Sequence, residues 1–85
     1  DGRYVHVPAA SIDFVEAARN YVVIHVGTTT YCHRASISTL EQYLASAGFL
    51  RIHKSVLVNL ARVRAIESDF HGTYVFRLAS GASCR

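Results

Sequence analysis

The chain has 85 residues, 51% hydrophobic and 18% charged, and its nine Lys and Arg against six Asp and Glu leave a formal net charge of +3. That length suits one small domain, and the apolar fraction excludes a disordered tail. No apolar run approaches the roughly 18 residues of a membrane-spanning helix, and no N-terminal apolar stretch reads as a signal peptide. The positive charge comes from eight Arg and a single Lys, which favours forked recognition of phosphate or of guanine edges. Two cysteines, Cys32 and Cys84, read as reduced thiols rather than as a disulfide framework.

In chain order, Arg3–Val7 alternates weakly and ends at Pro8, as an edge strand would. Ile12–Ala17 reads as a second strand, with Ile12, Phe14 and Glu16 on one side and Asp13, Val15 and Ala17 on the other. Ala18, Arg19 and Asn20 interrupt it before the β-branched run Tyr21–Val26. Gly27 and Thr28 turn the chain, and Thr29–Ala35 returns.

Only one segment carries a helical signature. Ser38 and Glu41 have the spacing of a capping box, which predicts a short helix over Thr39–Ala47. Leu40, Tyr43, Leu44 and Ala47 then share a face, and Gly48 supplies the stop. Beyond it come strands at Leu50–His53 and Val56–Asn59, a strand around Arg62–Glu67, a turn over Asp69–Gly72, a strand at Thr73–Leu78, and a tight connection into Ala82–Arg85. The tally is seven or more short strands and one helix, a mainly β domain of small antiparallel sheets.

The chemistry narrows by exclusion. A helix-turn-helix needs a second helix to fill the groove, and the single helix here carries no Arg or Lys on its polar side. Cys32 and His33 are neighbours that point to opposite faces of a strand, and no Cys or His pair has ligand spacing, so no metal or cofactor is expected. Asp13 and Glu16 fall on opposite faces, and no serine sits in a nucleophile elbow, so no enzyme is expected. Polar tips between strands remain. Arg19-Asn20 offers a guanidinium and an amide, and an Asn side chain can bond an adenine edge bidentately. His53-Lys54-Ser55 sets an imidazole, an ammonium and a hydroxyl between the apolar runs Phe49–Ile52 and Val56–Val58. Such a tip suits an anionic partner rich in hydrogen-bond acceptors, as DNA is. On residues alone, two alternatives stay open. One is a basic β-rich protein-interaction or ligand-sensing module; the other is a single-strand binder that stacks bases on its many Tyr and Phe.

Taken together, Ile12–Ala18, Asn20-Tyr21-Val22, the Leu40…Leu44 helix, Phe49–Asn59 and Ser83-Cys84-Arg85 resemble the LytTR DNA-binding domain, in the right order and over nearly the whole chain. The Arg-x-His-Lys-Ser run with its following aliphatics and Asn59 is the specific part. The resemblance implies stacked antiparallel sheets with one helix, and a bacterial transcription regulator whose inter-strand loops enter successive major grooves of promoter DNA, commonly at repeated sites. It implies base reading by Asn20 and Arg85, with Arg19 beside them, and a grip on the opposite side of the site by Lys54 and Ser55. Arg51 and His53 belong to the same motif, either as contacts or as supports of the loop, and Asn59 is assigned to backbone bonding. Val56 stands where the family usually has an aromatic, and Lys54 replaces the commoner Arg. The resemblance further implies a domain spanning residues 1–85, excised from a longer cytoplasmic regulator with a receiver or membrane sensor upstream. It would be monomeric when free and paired on DNA.

Overall fold

The computed structural model describes residues 6–68 and 71–84. Eight strands and one helix follow in order: β1 Phe14–Ala18, β2 Tyr21–Val26, β3 Thr29–His33, α1 Ile37–Leu44, β4 Phe49–His53, β5 Val56–Asn59, β6 Val63–Ser68, β7 Tyr74–Leu78 and β8 Ser83–Cys84. They form a five-stranded antiparallel sheet in the order β3-β2-β1-β5-β4 and a three-stranded sheet in the order β6-β7-β8.

The larger sheet is covered on both faces, and the period-two alternation of its strands decides which residue serves which side. Val15 and Leu57 point to one face and join Val22, Ile12, Ile37 and Leu44 in a core beneath α1. Val58 points the other way and packs with Leu78 and Cys84 of the smaller sheet, flanked by Phe14, Ile52, Val56 and Phe76. Adjacent residues Leu57 and Val58 are both fully buried, in different cores. An uninterrupted apolar run such as Val56-Leu57-Val58 is what a strand buried on both faces requires. Ile12 lies outside β1 and joins Val15 rather than Phe14, which corrects the expected alternation from Ile12 onward.

Two polar side chains close this sheet from within. Asn59, 2% exposed, donates from Nδ2 to the Ile12 carbonyl at 2.8 Å, and its Oδ1 accepts from the Ala61 N–H at 3.1 Å. The backbone-bonding assignment of Asn59 therefore matches the structure. Asp13, equally buried, accepts from the Gly27 N–H at 2.7 Å, and its other carboxylate oxygen lies 4.0 Å from the Arg62 guanidinium.

The helix starts earlier than the capping-box spacing suggests. Its N-cap is Ser36, whose Oγ accepts from the Thr39 N–H at 3.1 Å and contacts the Thr39 hydroxyl at 2.9 Å. It also ends earlier, at Leu44, where a 3₁₀ turn over Ala45–Ala47 leads to Gly48 at φ +82°. The buried face is Ile37 and Leu44 with Leu40 half-buried, whereas Tyr43 is 78% exposed. Tyr43 is expected on the packing face, but the buried stripe is centred on Ile37, Leu40 and Leu44, and Tyr43 falls at its edge, facing solvent. The weak strand expected over Arg3–Val7 falls partly outside the described residues, and His6 and Val7 are not in a strand.

Candidate nucleic-acid interface

Two hairpin tips and one strand end meet at a single end of the larger sheet. The pairing of Ala18 with Tyr21 makes Arg19-Asn20 a two-residue connection between β1 and β2. His53 pairs with Val56, so Lys54-Ser55 connects β4 to β5 in the same manner. The Ser55 carbonyl accepts from the Ala17 N–H at 2.8 Å, which locks the two tips side by side. With strands about 4.8 Å apart, the tips stand two strand spacings, or about 10 Å, from each other. β3 reaches the same end, because His33 pairs with Val22 and Arg34 follows it.

Arg19 has φ +60°, unlike every other described non-glycine residue. A positive φ at the first central position is the pattern of a type II′ hairpin, where glycine is the favoured residue. Retaining a side chain there costs on the order of 1–2 kcal/mol.

The second tip is built around Arg51 and His53. The guanidinium of Arg51 donates to Glu41 Oε1 at 3.0 Å, to Ser38 Oγ at 3.2 Å and to the Lys54 carbonyl. It ties the tip to α1. His53 Nδ1 accepts the Ser55 N–H at 3.2 Å and lies 2.8 Å from the Ser55 hydroxyl. An acceptor Nδ1 leaves the proton of the neutral ring on Nε2. Of the motif residues, then, Arg51 and Ser55 hold the loop, while Lys54 is exposed and its side-chain ammonium has no hydrogen bond or ion pair to any described residue.

Charge is sorted over the whole molecule. Each described carboxylate has an internal basic partner: Asp13 lies near Arg62, Glu16 is hydrogen-bonded to the His25 ring at 2.8 Å, Glu41 pairs with Arg51, and Glu67 pairs with Arg77 at 2.6 Å. The Arg and Lys side chains left without a partner among the described residues are Arg19, Arg34, Lys54 and Arg64. Three of these four stand at the tip end. Arg34 was not among the residues expected to bind DNA, because extending β3 to Ala35 counts it as part of a strand. The strand stops at His33, so Arg34 starts the turn into α1 instead.

Between the two sheets lies a cleft of about 570 Å³ bordered by Phe14, Glu16, His53, Ser55, Ser83 and Cys84. It sets the last described residues of β8 beside the His53–Ser55 tip. Arg85, expected to read bases, lies outside the described residues. Phe14, at the border of this cleft, stacks on His25, with ring centroids 4.0 Å apart. Burial pushes the Cys84 thiol up to about 11, and the nearby Glu16 carboxylate adds to the effect.

Comparison with known proteins points in the same direction. The profile of the LytTr DNA-binding domain family matches residues 2–85. Over 78 residues the chain is 31% identical to the transcriptional regulatory protein YpdB of Escherichia coli K12 and to that of Shigella flexneri, covering 92% of this chain and 32% of theirs. Among solved structures, the LytTr DNA-binding domain of a putative methyl-accepting/DNA response regulator from Bacillus cereus superposes with a TM-score of 0.83 at 27% identity. The match covers 92% of this chain and 72% of that one.

Proposed function

Because the chain belongs to the LytTr DNA-binding domain family, we propose that it binds double-stranded promoter DNA sequence-specifically through the tips at one end of its larger sheet. The observation that carries this reading is the gathering of Arg19, Arg34 and Lys54, unpartnered among the described residues, at that end, while each described carboxylate is already bonded to another side chain or backbone group. A surface with that charge attracts the phosphate backbone, and its amide and imidazole can then bond base edges.

Tips about 10 Å apart suit a single major groove, which is about 12 Å wide. Entry of the inter-strand loops into a second, successive groove, about 34 Å along the duplex, and base reading by Arg85 belong to the same proposal. Asn20 and Arg85 read bases in this scheme, Lys54 meets phosphate, Arg19 and His53 flank them, and Arg51 and Ser55 keep the second tip in shape. Across about 32% of the length of the curated relatives it matches, the chain would serve as the DNA-binding module of a longer bacterial cytoplasmic regulator, with a receiver or a membrane sensor supplying the signal. The module pairs on repeated half-sites and is monomeric when free; a dimer that persists on dilution in sedimentation would contradict that pairing.

A binding site selected from a random duplex pool provides the test. Asn20→Ala should cost about 1–3 kcal/mol on the selected site and little on unrelated duplex. Lys54→Ala should weaken both and lower the salt-dependence slope by about one. Equal losses on both kinds of DNA for both variants would remove the assignment of base reading to Asn20.

A further inference from the structure

We infer that Arg34, with Arg19, forms a dedicated phosphate-binding cleft at the edge of the interface, an anchor for the DNA backbone outside the two motif-bearing tips. The inference rests on the DNA-binding reading above. The cleft, about 360 Å³, is lined by Arg19, Asn20, Arg34, Ala35 and Ser36, with no carboxylate among them. Every other described Arg except Arg64 is held by an acid or by a backbone carbonyl: Arg51 by Glu41, Arg62 by the Ala10 carbonyl at 2.9 Å, and Arg77 by Glu67.

Two guanidiniums facing one cleft without a counter-charge repel each other in the free chain. A dianionic or monoanionic oxyanion removes that repulsion and can accept forked hydrogen bonds from both. The backbone points to the same use. The β2–β3 hairpin is a two-residue connection like the one at Arg19-Asn20, and it places Gly27 at φ +59°, almost the same backbone angle as Arg19 at φ +60°. Glycine occupies the position at the far end of the sheet, and an arginine occupies it at the cleft. A strained residue retained where its side chain lines a site is a pointer to function. Arg34 lies one strand beyond this tip, so the cleft extends the row of cations sideways along the sheet end, toward a phosphate flanking the bases read at Asn20.

The test is the salt dependence of binding to a mixed-sequence 30-base-pair duplex, measured by fluorescence anisotropy on the full chain. Arg34→Gln should lower the slope of log Kobs against log salt by about 0.9, the loss of one phosphate contact, and Arg34→Lys should restore most of it. Arg64→Gln removes the same unit of charge from an exposed residue on β6 and should leave the slope unchanged. A slope unaltered by Arg34→Gln, or lowered equally by Arg64→Gln, overturns the cleft while leaving DNA binding intact. Failure of the unchanged chain to bind the duplex at low salt overturns both this inference and the reading beneath it.

Discussion

Arg19 and Gly27 occupy the same place in two successive hairpins and meet the same backbone demand with opposite side chains. The exchange Arg19→Gly therefore separates stability from function. Relief of about 1–2 kcal/mol of positive-φ strain is set against about 0.5–1 kcal/mol of added chain entropy in the unfolded state. The variant should melt at the same or a higher denaturant concentration, yet bind duplex DNA more weakly with a flatter salt dependence. A less stable protein with unchanged affinity would show that Arg19 serves the fold rather than the ligand. Arg51 is the converse case. It lies in the most motif-like stretch of the chain, but its guanidinium is spent on Glu41, Ser38 and the Lys54 carbonyl. Sequence alone presents it as a cation beside other cations; the fold makes it a brace.

At the scale of elements, strands were more legible than the helix. β2, β5 and β7 are dense in β-branched and aromatic residues, and each appears where that density lies. The Ser38–Glu41 spacing points to a cap at Ser38, whereas the structure caps the helix with Ser36. Ser36 holds the Thr39 N–H, whereas Ser38 faces Arg51. Ser36→Ala should accordingly lower stability by about 1 kcal/mol in urea unfolding, and Ser38→Ala by clearly less. The reverse order would restore the cap to Ser38. Packing settles the choice, because a start at Ile37 adds that residue to the apolar stripe that it buries with Leu44 against the larger sheet. The stop was legible only in part: Gly48 at φ +82° has the expected left-handed geometry, but it closes the 3₁₀ turn over Ala45–Ala47, the α-helix having already ended at Leu44.

Over the whole molecule, one sheet shared between two cores makes the cleft beside Cys84 sensitive to alkali. The folded state raises the thiol from 9.0 to about 11. Below pH 9 the thiol is protonated whether the chain is folded or not, so its contribution to stability is constant. Between pH 9 and about 11 the unfolded chain releases a proton that the folded chain keeps, and stability falls as pH rises through that window. Urea midpoints measured from pH 8 to 11 should therefore drop more steeply in the unchanged protein than in Cys84→Val; parallel curves would contradict this origin. The buried Cys84 should also resist thiol reagents at neutral pH while the exposed Cys32 reacts.

The residues by themselves determined a mainly β chain with one short helix, and they marked the polar tips at Arg19-Asn20 and His53-Lys54-Ser55. Both follow from local physics: β-branched density, turn-forming residues, and charges that apolar flanks cannot bury. What the tertiary structure decided is which charges remain available. Neutralisation depends on pairs distant in sequence, such as Arg51 with Glu41 and Arg62 with Asp13, and on antiparallel pairing that carries Arg34 to the same sheet end as Lys54. No window along the chain contains those distances, so the basic edge exists only once the strands are paired.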